Sequence, residues 1–156
     1  MNPLHPAIRT VWTIRYAAWA TAVLLAAGFY DLAGLLAGAD RLITTGTLTA
    51  LALLIGIPAA LVAPRLRYRF WQYELREDEL YLERGVFNRV RTVVPLRRIQ
   101  HLDVSQNVLE REFNLGKLIV HTAGTRASTV ELPGLQIEAA RRMYDDIKGL
   151  LLEEAL

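Results

Sequence analysis

The chain has 156 residues, no cysteine, 53% hydrophobic residues and a formal net charge of +2, which leaves room for one ordinary domain and a short membrane element. The missing cysteines exclude a disulfide framework and any thiolate metal site. The apolar share exceeds that of an ordinary soluble domain, and the excess sits in two N-terminal runs.

The first run spans about 12–36. Arg15 lies near its start and Asp31 near its end, leaving Tyr16 to Tyr30 uninterrupted; Arg15 reaches the interface by snorkelling. Trp12, Tyr16 and Trp19 share a helix face at that end, where amphipathic rings favour the headgroup region. The second run, about 42–62, is uncharged and has the roughly 20 residues needed to cross about 30 Å of hydrocarbon. A cleaved signal peptide is the rival reading of the first run, because Ala37-Gly38-Ala39 resembles a small-residue cleavage site. Arg9 and Arg15 precede the pair, Arg65, Arg67 and Arg69 follow it, and only Arg41 lies in the connection. The positive-inside rule then places both termini in the cytoplasm.

Small residues recur at Ala18, Ala22 and Ala26, at Gly34 and Gly38, and at Ala52, Gly56 and Ala60, a pattern that lets helix backbones approach closely. They serve packing within the hairpin, or a second face for another copy or a membrane-protein partner. Thr44, Thr45, Thr47 and Thr49 offer hydrogen bonds across or within the helices, and Pro58 predicts a kink. Asp31 is expected near the outer interface beside Asp40 and Arg41. A lone acid there does not make an ion pathway.

From Tyr68 the hydrophobic period changes to about two. Trp71, Tyr73 and Leu75 alternate with Gln72, Glu74 and Arg76; Leu80 and Leu82 follow a charged turn; Val90, Thr92 and Val94 alternate with Arg89 and Arg91 after a reversal at Gly85. Ile99 to Ser105, Lys117 to Thr122 and Ser128 to Leu132 are further strands. Asn107 and Glu110 form a capping box for a short helix with Leu109 and Phe113 on its buried side, and Asn114 ends it in the left-handed conformation. After Leu132-Pro133-Gly134, a helical stripe of Ile137, Ala140, Tyr144, Ile147 and Leu151 predicts a closing helix.

The stretch from Pro95-Leu96-Arg97-Arg98-Ile99-Gln100-His101 through Phe113-Asn114-Leu115-Gly116, then His121-Thr122-Ala123-Gly124, Leu132-Pro133-Gly134-Leu135 and the closing helix resembles the bacterial pleckstrin-homology (PH)-like membrane proteins, often called YdbS-like. The two preceding helices fit as well, so the resemblance covers nearly the whole chain. It implies a mainly β fold: a PH-like barrel of two near-orthogonal antiparallel sheets, capped by a C-terminal helix and preceded by a transmembrane hairpin. Asn114 stands where the family usually carries glycine, a small departure because asparagine tolerates positive φ. No catalytic constellation comes with the family, and a shared fold does not license a shared ligand.

Between residues 65 and 98 nine arginines oppose five acids, whereas from 103 onward acids predominate. Arg65, Arg67 and Arg69 read as a membrane-proximal collar that orients the domain on an anionic leaflet. Arg89, Arg91, Arg97 and Arg98 are the candidate site for an anionic headgroup or an acidic partner surface. Nucleic acid is not expected, because no recognised motif accompanies the patch. His101, His121 and Asp103 fall on predicted strands without diagnostic metal spacing. Ser105 shares their strand at about 6.6 to 6.8 Å per same-face step, too far for a nucleophile and base to meet. The sequence therefore predicts residues 1–64 as an N-terminal segment and hairpin, and 65–156 as a cytoplasmic module in the bacterial inner membrane. That module is non-enzymatic and cofactor-free, and it binds the bilayer, a membrane-protein partner or second copy, or anionic lipid. An enzyme with an unrecognised site in the β domain is the alternative.

Overall fold

The computed structural model describes residues 1–38, 46–123 and 129–154, with side chains as far as Leu151. The expectations resting on Ala39, Asp40, Arg41, Thr44, Thr45 and Ser128 lie outside these residues. The chain forms two compact units: Met1–Val11 together with Leu66–Leu156, and Trp12–Arg65.

The second unit consists of most of α1 (Ile8–Leu36) and α2 (Thr47–Arg69), both long and apolar enough to cross a membrane. Helix α1 begins before the expected Trp12. Helix α2 runs past the expected Val62 to Arg69, continuing through Pro58 and Pro64. A proline removes one ladder donor, a loss that a long apolar helix accommodates. The backbone bonds from Phe70 N to Leu66 O (3.2 Å) and from Trp71 N to Tyr68 O (3.3 Å) end the last turn.

Close approach of the two helices occurs at Gly56, where an added Cβ would stand 3.2 Å from Ala20 Cβ. Ala18, Ala22 and Ala26 are exposed instead, because Ala20 projects from a different side of the helix than that four-residue row. Asp31 is 7% exposed and accepts hydrogen bonds from Thr49 N (3.1 Å) and Thr49 Oγ1 (2.7 Å). It satisfies an amide in the first turn of α2, where the helix dipole also favours negative charge. The expected interfacial acid is thus an interhelical cap.

The first unit carries two antiparallel sheets. One has the order β1 (Asn2–Pro3), β2 (Gln72–Leu75), β3 (Glu79–Arg84), β4 (Val90–Pro95). A 3-10 turn at Leu96–Arg98 leads to the second sheet, β5 (Ile99–Ser105), β6 (Leu115–Thr122), β7 (Thr129–Gln136). The short helix α3 (Val108–Glu112) joins β5 to β6, and α4 (Ile137–Glu154) closes the chain. Leu80, Leu82, Val94, Leu102, Leu118, Val120, Leu132, Ala140 and Ile147 are buried, as the alternation and the stripe on α4 require.

Asn107 caps α3. Its side chain accepts from Glu110 N (2.8 Å), and Glu110 Oε2 accepts from Asn107 N (2.9 Å). Asn114 follows at φ 53°. Strand β7 continues four residues past the expected Leu132, because Pro133 and Gly134 sit at a register shift opposite Lys117. A bulge there needs no ladder donor from proline and lets Gly134 adopt φ 67°.

The first eleven residues, assigned with the hairpin on sequence grounds, belong to the β unit. Asn2 and Pro3 pair with Tyr73 and Gln72. His5 N donates to Gly134 O at 2.8 Å, and Tyr68 Oη donates to Leu4 O at 3.1 Å. Leu4, Ile8 and Val11 are almost wholly buried, and a Cβ on Gly134 would fall within 2.8 Å of Ile8 Cγ1. Truncating Ile8 to alanine is expected to destabilise the β unit by about 2–5 kcal/mol. The midpoint of thermal unfolding of the full-length protein, followed in detergent by the β-sheet circular dichroism signal, checks it.

Candidate functional site

Strand direction decides which arginines can act together. Arg89 and Arg91 stand at the start of β4, where Val90 opposes Arg84, while Pro95 at its end opposes Glu79. Arg97 and Arg98 follow Pro95, so the strand separates the two pairs by roughly 20 Å at about 3.3 Å per residue. The four candidate arginines therefore do not form one patch. Arg98 also ties the end of the first sheet to the second, since its Nη2 donates to Ala123 O (2.8 Å) and Ala123 N donates to Arg98 O (2.9 Å).

At the other end, Arg89 and Arg91 meet Arg69, the last residue of α2. With Phe70, Gln72, Glu83 and Gly85 they line a groove of about 360 Å³ on the first sheet. Cross-strand register makes this groove: Gln72 faces Glu83, and Glu83 faces Arg91. Arg91 Nε lies 3.6 Å from Glu83 Oε1, a loose pair. The Arg89 guanidinium lies 5.9 Å from the centre of the Phe70 ring, within cation–π range. Among the described residues, neither Arg69 nor Arg89 has a carboxylate partner. Arg65 Nη1 donates back to Leu61 O (3.1 Å), and Arg69 lines the groove.

The far end of the sheet shows what a neutralised arginine looks like. Arg76 donates to Glu74 (3.0 Å) and Glu79 (2.6 Å) and lies over the Tyr81 ring at 4.9 Å. The Glu74 carboxyl is held below the usual carboxylate range by hydrogen bonds from the amino terminus and from Arg76. The same two carboxylates push the Arg76 guanidinium up. Burial raises the Tyr73 phenol.

On the second sheet, His101 and His121 are register partners. Both Nε2 atoms approach Asp103, at 3.0 and 3.3 Å, and His121 Nδ1 lies 3.1 Å from Thr129 Oγ1. His101, His121 and Asp103 thus meet on one sheet, and the acid serves as the shared acceptor. Among the described residues no group of three or more His, Asp or Glu side chains is arranged to hold a metal ion. A second groove of about 420 Å³ beside β5 and α4 mixes Asp103 and Asp145 with Arg141. It presents no single sign of charge.

Phe70, Gln72 and Glu83 escaped the sequence reading, because only strand register brings them beside Arg89 and Arg91. The alternation of Gln72 with Trp71 and Tyr73 was the available signal for its outward direction.

The family model for the bacterial PH domain matches residues 20–151. The chain belongs to the bacterial PH domain family. It is 37% identical over 106 residues to UPF0699 transmembrane protein YdbS of Bacillus subtilis (strain 168), a match covering 68% of this chain and 65% of that protein. UPF0699 transmembrane protein YdbT of the same organism is 26% identical over 83 residues, which cover 53% of this chain and 17% of YdbT. The chain thus spans less than two thirds of the length of either relative. No solved structure matches it significantly. Together with the two long apolar helices, the family places this bacterial PH domain in a membrane protein.

In the groove of this PH domain Glu83 is the one acid competing with an incoming anion. Replacing it with glutamine is expected to raise affinity for inorganic phosphate by roughly two- to fivefold, the scale of a surface ion pair. Titration of the arginine Nε–H resonances measures the change.

Proposed function

We propose that this protein is a membrane-anchored, non-enzymatic binding module whose groove at Arg69, Arg89 and Arg91 takes an anionic group, either a lipid headgroup or an acidic surface of a protein partner. The convergence of three arginines from α2 and β4 on one groove carries this reading, since two of them lack a carboxylate partner among the described residues. Planar guanidinium groups suit phosphate and carboxylate oxygens, to which they donate in pairs. Arg97 and Arg98 are outside this site.

The anchor is a two-span hairpin in the bacterial cytoplasmic membrane, with the β unit and both termini in the cytoplasm. Met1–Val11 and Leu66–Leu156 form one unit, so a chain that leaves through α1 must return through α2 to complete it. The basic residues on both sides of the spans support the cytoplasmic side. Within the membrane the protein acts as a subunit of a larger assembly, with a membrane-protein partner or a second copy.

Glycerol phosphate, a soluble phosphate monoester, tests the groove on the full-length protein in zwitterionic nanodiscs. Binding should weaken by at least about tenfold in the Arg69→Gln/Arg89→Gln/Arg91→Gln variant, and the affinity of the natural chain should fall as salt rises. The Arg97→Gln/Arg98→Gln variant should bind as the natural chain does. Equal loss in both variants would show a diffuse field instead of a groove.

A further inference from the structure

Among the described residues, the apolar side chain left most open on the β unit stands at the tip of the β3–β4 hairpin. Phe87 is 100% exposed, leaving roughly 150–200 Å² of ring surface in water. The turn holds it out. Gly85 adopts φ 115°, and a Cβ there would lie 1.9 Å from Asn88 O, so only glycine closes the chain this tightly beneath residues 86–88. Val90 and Val93, farther along the hairpin, are 41% and 48% exposed.

The neighbouring residues carry mostly positive charge. Over residues 69–72 and 83–91, four arginines (69, 84, 89 and 91) stand against a single acid, Glu83. Arg84 and Arg89 flank the tip, and among the described residues neither has a carboxylate partner. A protruding aromatic ring inside a basic fringe fits the boundary between headgroups and acyl chains, where rings leave water while guanidinium groups stay with phosphates. The chain also supplies the means of contact. Arg69 lies four residues beyond Arg65, the last residue of the spanning unit, so the hairpin meets a bilayer as a tethered group at high effective concentration.

The geometry points to the β3–β4 hairpin as a membrane-inserting tip: Phe87 dips into an anionic leaflet while Arg84 and Arg89 hold lipid phosphates around it. This rests on the reading of the neighbouring groove as an anion site and fixes the source of the anion as the bilayer surface.

The chain has no cysteine, so Asn88→Cys carries a single nitroxide and leaves Phe87 in place. A control label goes at Val108, 78% exposed on α3. Full-length protein is reconstituted in vesicles of phosphatidylcholine alone or mixed with phosphatidylglycerol. In the anionic vesicles, the ratio of collisions with oxygen to collisions with a water-soluble nickel chelate should be about threefold higher at 88 than at 108, as expected for burial at the headgroup boundary. That excess should vanish in phosphatidylcholine, on adding Phe87→Ser, and on adding Arg84→Gln/Arg89→Gln. A label at 88 as open to the chelate as the label at 108 in anionic vesicles would overturn the proposal and leave the tip to a protein partner. Glycerol phosphate binding on the same samples separates the two readings. A groove that binds beside a water-exposed label defeats the tip alone, and an inserted label over a groove that does not bind defeats the groove alone.

Discussion

The β unit depends on its first eleven residues. Ile8 occupies space that only a glycine at 134 leaves free, Leu4 and Val11 are buried with it, and the backbone of residues 2–5 pairs with β2 and with the bulge in β7. Several large apolar side chains therefore reach the core from the far side of the membrane segment in sequence. A fragment beginning after α2 would lack them and would open a cavity where they sit, with costs on the scale of whole buried side chains. Chain connectivity, and not only composition, makes this a membrane-linked domain.

The groove lies on the first sheet. Arg69, the last residue of α2, brings a helix end to the groove at the edge of that sheet. Register does the rest. The pairing of Gln72 with Glu83 and of Glu83 with Arg91 puts one acid among several bases, while the opposite end of the sheet neutralises its charge internally through Arg76, Glu74 and Glu79. The two ends of one small sheet thus differ in kind: one is a closed ionic cluster, the other an open basic edge.

Local chemistry was legible in the sequence. The Asn107–Glu110 box, the left-handed Asn114, the limits of β5 and the apolar stripe of α4 each follow from a few neighbouring residues, and each stands as read. The resemblance to the PH-like membrane proteins likewise gave the two sheets and the closing helix. Features that rest on pairing between distant residues were not legible. A two-residue strand at Asn2 and Pro3 has no periodicity to detect, and Pro133-Gly134 reads as a terminator until the bulge opposite Lys117 is seen. Grouping Arg89 and Arg91 with Arg97 and Arg98 treated nearness in sequence as nearness in space, which an extended strand prevents. The same gap hid Phe87: a lone aromatic between Gly85 and Asn88 is unremarkable as text and conspicuous once its neighbours are known to leave it bare.

The contact between Asp31 and Thr49 bears on how the two long helices hold together. Asp31 is nearly buried in the last turns of α1, and α1 alone would carry its carboxylate without the amide and hydroxyl that Thr49 supplies. Those donors arrive only with α2. Packing of α2 on α1 therefore supplies the hydrogen bonds that this carboxylate needs. One buried acid thus ties the two long apolar helices to each other, a role that needs no ion, substrate or proton to explain its presence.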